Sequence, residues 1–177
     1  MKAEIERALV PLVGLPVWDA GRAGAMLWLQ LGDRRIRPAD QRGARVVGEY
    51  ALHVSCAWRL AGPDGILVAS GDLFTPADAD ADPDTFEWDV IGANWCDVRL
   101  RAFIEATAES PLAVVSISAD EMGGVRIELA EGIALEVFPD SSNAEHVETE
   151  FWRLLQPGLP SPHVVVGSAG MDLVSEA

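Results

Sequence analysis

Five aspartates, Asp78, Asp80, Asp82, Asp84 and Asp89, repeat at the ligand spacing of an EF-hand loop, in which oxygen donors wrap a Ca²⁺ ion. Two features oppose that chemistry. Where such a loop needs glycine for its sharp turn the chain has Pro83, and the flanking PADA and VIGA segments supply no long entering and leaving helices. An Ala-Asp alternation with little to bury reads instead as a solvated linker. The three histidines, His53, His146 and His163, are too scattered for a local metal motif. Neither G-x-S-x-G, H-E-x-x-H nor a P-loop occurs. Cys56 alternates in step with Leu52, Val54 and Trp58, and Cys96 shares a helical face with Leu100 and Phe103. Both thiols therefore read as small core side chains, whereas a reactive thiolate needs exposure and cationic neighbours. No catalytic residue, metal or cofactor is assigned.

Two charged groupings remain. Arg34, Arg35, Arg37, Arg42 and Arg45 could dock an anion or an acidic partner, because guanidinium forks grip carboxylates and phosphates in two-pronged fashion. Pro38 and Gly43 mark that segment as a loop or irregular edge, facing solvent and the protein's own acidic surface. Elsewhere acids accompany tryptophans: Glu87 and Asp89 flank Trp88, and Glu148 and Glu150 precede Trp152. Aromatic side chains rimmed by carboxylates are typical anchors for protein partners. Glu87, Trp88, Asp89, Asp140, Glu145, Glu148, Glu150 and Trp152 are the expected partner-binding set, with Asp72 beside it.

Folded elements must hold these groups. Ile5, Ala8, Leu9 and Leu12 recur at helical spacing, and Pro11 and Gly14 limit that helix to about three turns. Ala25 to Leu31 reads as a strand. From Glu49 to Leu60, Tyr50, Leu52, Val54, Cys56, Trp58 and Leu60 share one parity, the mark of a half-buried strand. The turn Gly62-Pro63-Asp64-Gly65 predicts that Ile66 to Phe74 pairs back as a hairpin. Asn94 caps a helix over 93–109, which Ser110-Pro111 ends. A meander follows, with Ala113, Val115, Ile117, then Val125, Ile127, Leu129, then Ile133, Leu135, Val137 pointing inward, and further strands at Glu150 to Gln156 and His163 to Val166. Short turns make neighbouring strands antiparallel. The fold class is α+β: a mostly antiparallel meander with an N-terminal helix and one central helix packed on it. A single domain is expected over 1–170, with a mobile acidic linker at about 75–90 between two β-rich halves and a flexible tail over 171–177.

A length of 177 residues suffices for a core without disulfides or structural metal. The formal charge of -15 opposes binding to nucleic acid or anionic membranes, which recruit cationic surfaces. That charge is uneven: residues 1–60 carry +3 and the remainder -18. Such a split lets the two parts attract one another or leaves one strongly negative face. Glu4, Glu6 and Arg7 break the first apolar run, so neither a secretory signal nor a membrane span is expected. With only two cysteines, too few for a disulfide framework, a cytoplasmic setting follows.

Gly48-Glu-Tyr-Ala-Leu-His-Val-Ser-Cys-Ala-Trp-Arg-Leu60, Gly71-Asp-Leu-Phe74 and Leu135-Glu-Val-Phe-Pro-Asp-Ser-Ser142 resemble segments of a family of small uncharacterised actinobacterial proteins. Trp152-Arg153 followed by the strand His163 to Val166 is similar to the endings of immunity proteins encoded beside polymorphic toxins. The resemblance transfers no catalytic residue. It implies a non-enzymatic factor that neutralises a basic toxin by covering its surface with carboxylates, and steering by net charge accords with that. The alternatives are a small enzyme assembled in the fold from His53, Arg59, Asp72 and Glu136, and a ligand-binding regulatory module with a pocket between sheet and helix.

Overall fold

The computed structural model describes residues 1–40, 43–82, 84–142 and 148–175. In chain order its elements are helix α1 (Lys2–Leu9), strands β1 (Pro16–Ala23), β2 (Met26–Leu31), β3 (Arg35–Asp40), β4 (Gly43–Val47), β5 (Tyr50–Val54), β6 (Ala57–Gly62) and β7 (Gly65–Ala69), helix α2 (Trp95–Ala106), and strands β8 (Leu112–Ala119), β9 (Val125–Leu129), β10 (Ala134–Phe138), β11 (Glu150–Leu155), β12 (His163–Gly167) and β13 (Gly170–Val174). Short 3-10 turns lie at Val10–Leu12, Ser70–Phe74 and Ala130–Gly132. The chain is thus α+β, a largely antiparallel sheet with an N-terminal and a central helix.

Eleven of the described strands hydrogen-bond in the order β13-β12-β11-β5-β2-β1-β8-β9-β10-β6-β7, while β3 and β4 form a ribbon of their own. The early and late strands interleave. β5 sits between β2 and β11, and β6 sits between β10 and β7, so neither β-rich segment closes a sheet alone. The joint between β1 and β8 is narrow, with Pro16 opposite Ala113 and Val17 opposite Leu112.

The run from Glu49 to Leu60 keeps its alternation, and Leu52, Val54, Cys56, Trp58 and Leu60 are all buried. It is two strands rather than one. At Ser55-Cys56 the chain leaves β5, paired with β2 and β11, and enters β6, paired with β10 and β7. A period of two tells which side chains point inward but not which strand lies alongside. In β8 the inward set itself differs from expectation. A bulge between Val114 and Ser116 resets the parity, so Leu112 and Val114 are buried and Val115 is 59 % exposed.

Three further segments differ. The second hairpin arm ends at Ala69, after which Ser70–Phe74 turns as 3-10 helix and the Asp72 carboxylate accepts a hydrogen bond from the Ala69 N–H at 3.0 Å. The arginine-rich segment is the β3-β4 ribbon rather than a loop. Of the expected flexible tail, 171–174 belongs to β13, which zips onto β12 from Gly170 opposite Gly167 to Val174 opposite His163. β1 has no clean sequence signal, because Asp19 and Arg22 interrupt its apolar positions.

Helix α1 packs on β8 through Ile5 and Leu9, and α2 packs on β1, β7 and the Ser70–Phe74 turn. One buried cluster unites Leu27, Leu52, Val54, Trp58, Leu135, Val137 and Trp152. Trp152, expected at a partner surface, is 1 % exposed. Its indole Nε1 donates to the Gly123 carbonyl at 2.8 Å, satisfying the one polar atom that burial would otherwise strand. Gly123 has φ +92°, and a Cβ there would lie 2.9 Å from the Val166 side chain, so glycine is required.

Candidate functional site

Residues 70–98 build the most distinctive surface. Leu73 is buried and anchors the segment, while Phe74 beside it is 63 % exposed and sets its ring 5.5 Å from that of half-buried Trp88. Val90, Ile91, Trp95 and Val98 are also exposed, Ile91 by 66 %. Glu87 and Asp89 are exposed within the same stretch, as are Asp78, Asp80, Asp82 and Asp84. So many exposed large apolar side chains within one short segment mark it as a candidate interaction surface.

A buried ion pair fixes this surface. The Arg22 guanidinium on β1 meets the Asp97 carboxylate on α2 through two bonds, Nε to Oδ1 at 2.7 Å and Nη2 to Oδ2 at 2.9 Å. Arg22 also donates to the Gly24 carbonyl and to the carbonyls of Trp88, Asp89 and Val90, at 3.1 to 3.4 Å. Asp97 accepts from the Gly92 N–H at 2.7 Å and from Asn94 Nδ2 at 3.2 Å. The Asn94 side-chain oxygen caps α2 by accepting from the Asp97 N–H at 2.9 Å. Burial pushes the Asp97 carboxyl up, but the Arg22 guanidinium and the Gly92 N–H outweigh it and hold the group below the usual range. The end of the acidic stretch is therefore pinned to the sheet by hydrogen bonds. Nothing in sequence spacing signals a partnership between Arg22 and Asp97.

The aspartate repeat turns back on itself. Asp78 Oδ1 accepts from the Asp80 N–H at 2.9 Å and Asp82 Oδ1 from the Asp84 N–H at 3.0 Å, the local turns that Asp forms readily. A cleft of about 430 Å³ between these turns is lined by Asp78, Asp82, Phe86, Glu87 and Val90.

The second acidic group is more dispersed in role. Asp140 and Glu148 are exposed, and Asp140 lies close enough to Cys56 to help raise its pKa. Glu150 is engaged by Arg153, at 2.5 and 2.6 Å. Glu145 lies outside the described residues. Trp152 belongs to the core, as its burial requires. Of the expected set, Glu87, Trp88 and Asp89 lie on the same segment as the exposed apolar side chains. Phe74, Val90 and Ile91 belong with them and went unassigned. The Val90-Ile91 pair inside an acidic stretch was the available signal.

The four residues of the enzyme alternative do not converge. Arg59 and Glu136 are ion-paired across β6 and β10, with Arg126 on the other Glu136 oxygen, and the two guanidiniums hold that carboxyl below its usual range. His53 instead stands opposite Trp28 and Arg153 on β2 and β11, where burial and then the Arg153 charge lower its pKa. Asp72 pairs with Arg99 at 3.5 Å. His163, one of the three histidines too scattered in sequence for a local metal motif, is 4 % exposed with Nδ1 3.3 Å from Arg153 Nη1. Both cysteines are buried, and burial pushes each thiol up to about 12. A second cleft, of about 470 Å³, runs between β1 and α2 and is lined by Asp19, Trp28, Ile91, Arg101 and Glu105.

No helix among the described residues is long and apolar enough to cross a membrane. Comparison with protein-family models, curated proteins and solved structures finds no match.

Proposed function

We propose that this protein is a non-enzymatic, cytoplasmic binding factor that docks a basic protein partner, as an immunity protein docks a toxin, through the surface of residues 74–98. The observation that carries this reading is the exposure of Phe74, Val90, Ile91 and Trp95 along one segment that also exposes Glu87 and Asp89. Apolar anchors supply the desolvated centre of an interface and carboxylates at the rim steer a cationic partner. Pinning by Arg22 supports the reading, because a surface already held in shape loses little freedom on binding. The net charge of -15 adds long-range attraction for a basic protein.

The test is co-elution with the purified product of a neighbouring gene. Binding is expected to weaken at least tenfold when Val90 and Ile91 are both changed to Ser, and at least tenfold between ~50 and ~500 mM NaCl. Retained affinity in the double variant, or indifference to salt, would remove this reading. The cleft between β1 and α2, with an indole wall and both charge signs, favours a ligand-binding regulatory module as the second reading. Thermal stabilisation by a small molecule, abolished by Trp28→Ala, would select it.

A further inference from the structure

The β3-β4 ribbon is the other unusual surface. Two strands without a third neighbour are marginal alone, and this pair presents one face of Ile36 opposite Val46, which are 78 % and 57 % exposed. Its other face places Arg37 directly opposite Arg45 and Arg35 opposite Val47. Like charges directly across a strand pair weaken it. A basic ribbon with a bare apolar face fits an apolar surface rimmed by carboxylates.

Such a surface exists on this chain, at the wrong end for the ribbon to reach. The ribbon springs from the Leu31 and Tyr50 ends of β2 and β5, where Val17 of β1 stands opposite Leu31 and the Gly32 N–H donates to the Pro16 carbonyl at 2.9 Å. Arg37 Cγ lies near Gly158, beyond the Leu155 end of β11, at the same edge. The acid-rimmed patch is tied by Arg22 to the far end of β1, where Ala23 stands opposite Met26. Eight residues of strand separate the two, roughly 23 Å at the rise of a β-strand. The patch and the ribbon cannot satisfy each other within one molecule.

We propose that a second copy of this chain is the ribbon's partner: two molecules lie head to tail about a two-fold axis, each placing its β3-β4 ribbon on the other's surface of residues 74–98. Opposite poles at opposite ends make the arrangement reciprocal, so two identical contacts form and the assembly closes as a dimer. Ile36 and Val46 cover Val90 and Ile91. Arg35 stays with Glu49 of its own chain at 3.2 Å, and the long stem of exposed Arg45 reaches round a ribbon only two strands wide to Asp89. This deepens the functional reading and rests on it, since the same patch is used. A basic partner must then displace the second copy, and dimer formation regulates access to the site.

Sedimentation of the full chain between ~5 and ~200 µM, at ~50 and ~500 mM NaCl, tests this. A dimer whose dissociation constant rises at least tenfold with salt is expected. Ile36→Ser with Arg45→Glu should give a monomer, and Asp89→Arg alone should weaken the dimer. Joining Asp89→Arg to Arg45→Glu should recover much of the loss by exchanging the charges. All these side chains are exposed, and circular dichroism confirms that the variants fold. A monomer throughout, a dimer indifferent to the ribbon changes, or an open ladder of larger species overturns the proposal. A monomer that still binds a basic protein through Val90 and Ile91 refutes the self-pairing alone. A dimer that ignores every basic partner refutes the functional reading alone.

Discussion

At the scale of residues, Arg22 and Asp97 decide how much of the surface is fixed. Both side chains are almost wholly buried, at 2 % and 8 % exposure, and removing one partner leaves the other charged in a place that water barely reaches. Arg22→Met should cost about 3–5 kcal/mol in chemical denaturation, whereas Arg22→Met with Asp97→Leu should cost less. The pair also sets an acid limit. Asp97 titrates below its ordinary 3.8 in the folded chain, so the unfolded chain takes up that proton first. Its stabilisation is complete above the ordinary value and drains away as pH falls through the depressed one. Stability measured from pH 5 downward should fall less steeply in the double variant. Equal slopes would show that other carboxylates carry the acid response.

At the scale of elements, Gly21 shows how β1 can be a strand without an apolar signature. The Trp28 ring lies over it from the neighbouring strand, and a Cβ at Gly21 would come within 2.4 Å of that ring. Gly21→Ala should destabilise the fold by about 1–3 kcal/mol, and the loss should shrink when Trp28 is also shortened to Leu. An unchanged thermal midpoint in Gly21→Ala would mean that the ring swings aside freely. Such coupling explains what was legible in the sequence. Helix α2 and its Asn94 cap, β9, β10 and the inward side chains of β5 and β6 were readable, because local spacing decides them. The bulge in β8, the switch of partners at Ser55-Cys56 and the Arg22-Asp97 contact were not, since each depends on a neighbour distant along the chain. The candidate site was half legible for the same reason. Acids around Trp88 could be read directly, but the exposure of Phe74 and Ile91 and the burial of Trp152 depend on what packs against them.

At the scale of the whole molecule, a charge of -15 on 177 residues works against compactness. In dilute protein, raising NaCl from ~10 to ~300 mM should raise the thermal midpoint by screening that self-repulsion. A falling midpoint would show that attractive ion pairs outweigh the net charge. The charge is nonetheless arranged with polarity, basic at the ribbon and acidic around Glu87 and Asp89, which gives the molecule direction as well as magnitude.

The interleaved order of the strands also governs how the polypeptide is made. β5 rests against β11, and β6 against β10, contacts between residues 73 to 104 positions apart. A nascent chain emerging from the ribosome would hold Leu52, Val54 and Trp58 with a strand neighbour on one side only, β2 or β7, until the segments after Gly132 had followed. Folding should therefore be late and slow for a protein of this size, and a chaperone that shields that early stripe would be needed most while translation is still under way.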